Sequence, residues 1–147
     1  MTRFQFRLER VLHWRGVELT AEETKLKRLM QEAAAIDARV EALQRALAQI
    51  PHQIAALEGL NGSDLGSISA YSQHLTRERG RALERRREKQ AEVTKQAEVH
   101  LAAKQRYKLL EELRSRRFNE WQRATNAELD LLAHESYLTR WNSRSQA

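Results

Sequence analysis

The stretch Leu26-Lys-Arg-Leu29-Met-Gln-Glu-Ala33-Ala-Ala-Ile36-Asp-Ala-Arg-Val40-Glu-Ala-Leu43-Gln-Arg-Ala-Leu47-Ala-Gln-Ile50-Pro-His-Gln-Ile54-Ala-Ala-Leu57 decides the fold. Leu26, Ala33, Val40, Leu47 and Ile54 fill one position of a seven-residue repeat, and Leu29, Ile36, Leu43, Ile50 and Leu57 fill the other. Spacing of three then four residues keeps a narrow apolar stripe turned toward a partner helix, the pattern of a coiled coil. Pro51 lies inside the repeat and removes one backbone donor, a cost of about 3 kcal/mol in a helix interior. The repeat holds its phase across it, which predicts a kink and not an end. Upstream, Leu8, Leu12 and Leu19 run into the same stripe, so the helix is expected to continue through Gly16 although Thr20 followed by Glu23 offers a second start. Thr2 followed by Gln5 offers a capping box for the first start.

Downstream, Gly59, Gly62 and Gly66 fall together in Gly59-Leu-Asn-Gly-Ser-Asp-Leu-Gly-Ser67, the one stretch dense in turn signals. The expectation is a single all-α domain over residues 1–147. It is a long antiparallel two-helix coiled-coil hairpin with helix one over about 5–58, a turn at 59–67 and helix two over about 68–141. A turn centred near residue 63 places Trp14 close to Glu112 and Phe4 close to Gln122. Beyond that point about two dozen residues of helix two overhang, roughly 35 Å of helix at 1.5 Å per residue. Every aromatic residue except Tyr71 maps to the open end of this hairpin: Phe4, Phe6, Trp14, Tyr107, Phe118, Trp121, Tyr137 and Trp141. Phe4, Phe6, Tyr137 and Trp141 lie where little can bury them, which points to a partner.

Composition agrees with long solvated helices. Among 147 residues there are 26 Lys+Arg and 20 Asp+Glu, a net charge of +6, with 6% aromatics, one proline and no cysteine. Absence of cysteine excludes disulfides and thiolate chemistry. No aliphatic run is longer than Ala33 to Ile36, which is far too short to span a bilayer, and Arg3 and Arg7 interrupt any leader-like start, so a cytoplasmic, soluble chain is expected. The five glycines form no phosphate-binding loop. The five histidines never pair at i,i+4; Leu138 stands where a zinc helix opened by His134-Glu135 needs its second His. With three aspartates and no expected pocket for a desolvated carboxylate pair, no catalytic residue, cofactor site or metal site is assigned. From Arg77 to Lys89 seven basic residues face three acidic ones, a local balance of +4. That run reads as a solvated face, a site for an acidic protein, or a phosphate-binding strip whose affinity falls steeply with salt. Few of its side chains can pack, which predicts a marginal middle to the hairpin.

The opening Phe4-Gln-Phe6-Arg7-Leu8-Glu9-Arg10-Val11-Leu12, followed by Trp14-Arg15, resembles the start of the FliJ family of flagellar export proteins. Lys104-Gln-Arg-Tyr-Lys-Leu-Leu110-Glu-Glu-Leu113-Arg114-Ser-Arg116-Arg117-Phe-Asn-Glu-Trp121 is similar to that family's second-helix signature, as is Glu128-Leu-Asp-Leu-Leu132-Ala133 before Tyr137. The resemblance implies a non-enzymatic stalk like the gamma subunit of rotary ATP synthases. Such a stalk inserts into the flagellar export ATPase hexamer, promotes its assembly and hydrolysis, and links it to the export gate membrane protein and to export chaperones. On the resemblance, the ATPase-ring contacts are Phe4, Phe6, Arg7, Val11, Arg15, Leu113, Arg114, Arg117, Phe118 and Trp121, and the export-gate contacts are Tyr71 and Leu75. It further implies a place at the cytoplasmic face of the inner membrane. No nucleic-acid partner is assigned, and the chain is expected to be a monomer when alone. A virulence type III secretion stalk and a generic coiled-coil scaffold remain the alternatives.

Overall fold

A computed structural model describes residues 3–145 of the chain. It is all-α: helix α1 runs Glu9–Ala56 and helix α2 runs Gly62–Ser145, antiparallel and packed together as a two-helix hairpin. The capping box expected at Thr2 lies outside the described residues. Residues 3–8 are not helical, and α1 opens behind them with the Glu9 amide donating to the Phe6 carbonyl at 3.1 Å. α1 passes through Gly16, Thr20 and Pro51 without a break, as the unbroken phase of the apolar repeat predicts.

The turn is tighter than the glycines suggest. α1 ends at Ala56, Gly59 takes the left-handed conformation at φ 77°, and α2 already starts at Gly62. Asn61 explains that start. Its side-chain oxygen accepts from the Asp64 amide at 2.8 Å while the Asp64 carboxylate accepts from the Asn61 amide at 3.3 Å, a reciprocal cap that satisfies two otherwise orphaned donors. The Asn-Gly pair read as a turn signal is therefore a helix start, and Gly62 and Gly66 are helical.

The chain divides into two compact units, to each of which both helices contribute. Unit 2, Thr20–Leu101, carries the seam. Val40, Leu43, Ile50, Leu75 and Ala82 form its buried cluster, with Ala46, Leu47, Ile54 and Ile68 packed against them. Of the ten repeat positions only Leu57, which falls beyond the end of α1, is exposed. Against this apolar stripe α2 presents a mixed one. Ala82 is 1% exposed, and Gln96, at 5%, donates through Nε2 to the Glu22 carbonyl at 3.3 Å and to the Glu22 carboxylate. Lys89 bonds Glu32 at 2.9 Å and Glu92 at 3.2 Å, and Arg86 Nε lies 2.6 Å from Asp37 Oδ1. The basic run is thus only partly the solvated face expected: Ala82 packs, Arg86 and Lys89 bridge to α1, and Arg85 and Arg87 stay exposed.

Unit 1, Met1–Leu19 with Ala102–Ala147, is built differently. Among the described residues its buried apolar side chains are Leu12 and Ala103. Glu9 pairs with Arg114 at 3.0 Å, Glu18 lies 3.8 Å from Arg106, and a Cβ at Gly16 would come within 3.3 Å of the Tyr107 ring. Gly16 therefore faces Tyr107, about three residues from the pairing that a turn near residue 63 predicts. From 126 to 145 every residue of α2 is exposed.

Candidate functional site

The segment 3–8 lies against α2 where α1 has not yet begun, and it brings three aromatic rings together. Phe4 meets Phe118 edge-on at 5.2 Å between centroids and Trp121 at 5.8 Å, and Phe118 and Trp121 are 5.7 Å apart. Rings at these separations attract through their quadrupoles as well as by burial. Phe118 remains 41% exposed while Phe4, Phe6 and Trp121 are half-buried, so the cluster is no closed core, but Phe4 and Phe6 are covered more than their place at the end of the hairpin predicts, because segment 3–8 lies against α2. Beside it runs a groove of about 1030 Å³ lined by Phe4, Phe6, Leu8, Leu113, Trp121 and Ala124, with Arg3, Arg7, Arg117 and Glu120 among its polar walls. A second hollow, walled by Glu9, Arg10 and Arg114, shares Arg3 to Arg7 with the first.

The ring-contact residues implied by the resemblance fall into three sets. Phe4, Phe6, Arg7, Leu113, Arg117 and Trp121 line the groove together, with Phe118 in the aromatic cluster. Arg114 and Arg117 are held by carboxylates of this chain, Arg114 by Glu9 and Arg117 by Glu120 at 3.1 Å. Val11 and Arg15 belong to a different surface. Val11 is exposed on α1, and the Arg15 guanidinium sits 4.6 Å over the Trp14 ring while bonding Glu18 at 2.8 Å. Trp14 is 56% exposed. The gate pair separates as well. Tyr71 is exposed, but Leu75 is 7% exposed inside the Val40–Leu43–Ala82 cluster, so it is a seam residue and not a surface contact.

Counting charges by region shows what the run at Arg77 to Lys89 conceals. Residues 20–101 carry thirteen basic and twelve acidic side chains, a balance of +1. Residues 3–19 with 102–123 carry eleven basic and five acidic, a balance of +6, equal to that of the whole chain. The excess positive charge therefore coincides with the aromatic cluster and its groove. Sequence reading missed Glu9 and Glu120, which fix Arg114 and Arg117, and the groove residues Leu8 and Ala124. Antiparallel pairing about residue 63 was the signal available for the first of these, though it sets Glu9 opposite Arg117, three residues from the Arg114 that it meets.

Taken by fold and surface, this is an all-α hairpin whose unit 1 carries a basic, aromatic, grooved surface. No protein-family model, curated protein or solved structure matches the chain. Among the described residues no helix is long and apolar enough to cross a membrane.

Proposed function

We propose that this chain is the non-enzymatic stalk of a flagellar type III export apparatus, inserting unit 1 into the ring of the export ATPase. The reading comes from the FliJ-family resemblance of residues 4–15, 104–121 and 128–137. The observation that best supports it is the coincidence of the +6 charge balance with the Phe4–Phe118–Trp121 cluster. A basic, asymmetric stalk in a pseudo-symmetric ring binds some subunit interfaces better than others, and differential binding is sufficient to shift ring conformation. Acidic groups in the ring pore would speed its encounter. Phe4, Phe6, Arg7, Leu113, Arg114, Arg117, Phe118 and Trp121 make the ring contact, Val11 and Arg15 extend it along α1, and Tyr71 is the exposed residue for the export gate. The same reading gives the chain its chaperone partners and a peripheral position at the cytoplasmic side of the flagellar base.

The test is ATP hydrolysis and ring assembly of the export ATPase from the same organism, with the wild type and with Phe118→Ala/Trp121→Ala. Stimulation that the variant loses supports the stalk. Charge reversal at Arg7 is the cleaner electrostatic probe, because reversing Arg114 or Arg117 also breaks an ion pair within this chain. No stimulation and no association overturns the reading and leaves a coiled-coil scaffold in its place.

A further inference from the structure

The groove accounts for one side of unit 1; the α1 face bearing Trp14 lies outside its lining and meets it at Arg3 and Arg7, which wall the groove, and at Arg10, which walls the second hollow. Val11, Trp14 and Val17 stand three residues apart, with Arg10 four residues before Trp14, so the four fall on one broad face of the helix, with Arg3 and Arg7 just ahead of it. Val11, Trp14 and Val17 are all exposed, as are Arg3, Arg7 and Arg10. The two carboxylates of residues 3–19 are already engaged, Glu9 by Arg114 and Glu18 by Arg15 and Arg106. Among the described residues no carboxylate pairs with Arg3, Arg7 or Arg10. The face therefore joins exposed indole and valine side chains to three arginines with no internal counter-charge.

We infer that this face docks on an anionic lipid surface. Two demands must be met together by whatever covers it: negative charge for the arginines and a shallow apolar layer for Trp14, Val11 and Val17. A bilayer with anionic headgroups meets both over a single helix face. Indole rings favour the boundary between headgroup and acyl chain, and each basic side chain near an anionic leaflet adds about fivefold to binding. The face shares Arg7 and Val11 with the ring contact proposed above, so ring and lipid are alternative occupants of it. The inference does not rest on the stalk reading, since vesicle binding is measured with the chain alone.

The experiment uses vesicles of phosphatidylglycerol with phosphatidylcholine, and of phosphatidylcholine alone. The full chain should sediment with the first and not the second. Arg7→Gln/Arg10→Gln should weaken binding on the order of twentyfold, Trp14→Ser should weaken it as well, and Arg85→Gln/Arg87→Gln in unit 2 should leave it unchanged. In a Trp121→Phe/Trp141→Phe background Trp14 is the remaining tryptophan, and its emission should shift to the blue on the anionic vesicles. Absence of binding, equal binding to neutral vesicles, or full binding by the Arg7/Arg10 variant overturns the inference. So does an unmoved Trp14 emission, or one moved by polyglutamate and not by vesicles, which would make the face an acidic-protein site. The sedimentation arm stands on the unmodified tryptophans should the double-Phe background fold poorly.

Discussion

Unit 2 and unit 1 use the same ingredients to opposite ends. In unit 2 thirteen basic side chains meet twelve acidic ones, Arg86 and Lys89 reach across to Asp37 and Glu32, and the seam buries Val40, Leu43, Ile50, Leu75 and Ala82. In unit 1 the buried apolar set among the described residues shrinks to Leu12 and Ala103, the aromatic rings are half-buried or exposed and none is buried, and eleven basic residues face five acidic ones within 3–19 and 102–123. Charge that is matched across a helix pair helps to fix that pair, whereas charge left over is available to a partner. Density of arginine along one helix is therefore a poor guide to where a basic site lies, because the opposite helix decides how much survives.

The largest expected contrast is in stability. Leu43→Ala removes a side chain that is 3% exposed at the centre of the seam and should cost about 2–4 kcal/mol. Phe118→Ala, in a cluster open to solvent, should cost about 1 kcal/mol. Urea unfolding of the two variants measures both, and an equal or inverted cost would break the division between a packed unit and a presenting one. Arg79 sharpens the same contrast from the other direction. Its Nε is buried without an acceptor among the described residues, so Arg79→Leu should raise stability by about 1 kcal/mol, and a loss would mean that the guanidinium has a partner after all.

Glycine substitutions probe the two units on a finer scale. Gly80, helical in unit 2, has nothing within 4 Å of an added Cβ, and Gly80→Ala should stabilise by about 0.8 kcal/mol through helix propensity alone. Gly16→Ala in unit 1 gains the same propensity but brings its Cβ to 3.3 Å from the Tyr107 ring, so its gain should be smaller. The difference between the two melting temperatures reads the Tyr107 contact directly, and identical gains would mean that the ring moves aside freely.

Much of the fold was legible because a helix repeat is a one-dimensional property. The seam of α1 and its continuity through Gly16 and Pro51 need no knowledge of a partner. Features that depend on two segments were harder to read. Asn61 looked like a turn residue until Asp64 was seen to answer it, and moving the helix start forward shifted the pairing by about three residues. Leu75 follows Tyr71 by one helical turn, but only the position of α1 decides that one is a seam residue and the other exposed. The site was half legible for the same reason: its rings and arginines are plain in sequence, whereas the carboxylates that neutralise some of them lie about a hundred residues away, as Glu9 does from Arg114.

The smallest expected effect tests whether the bridges of unit 2 contribute as charges. The hydrogen bond from Lys89 holds Glu32 below the usual carboxylate value of 4.5, with Arg28 adding to the pull. Bonds to Glu32 and Glu92 hold Lys89 above its usual 10.5. A lowered acid favours the folded state above its unfolded value and loses that contribution as pH falls through the folded one. A raised base contributes below its unfolded value and loses that contribution as pH rises through the folded one. Glu32→Gln should therefore melt slightly below the wild type across the neutral range, with the gap closing in acid as Glu32 protonates and narrowing again in strong alkali as Lys89 gives up its proton. Thermal melts of the pair across pH measure this, and the gap should also shrink with added salt because both groups are near the surface. A gap that persists at low pH would mean that Glu32 acts by packing and not by charge, and the account of unit 2 as a seam neutralised by paired charges would lose one of its two bridges.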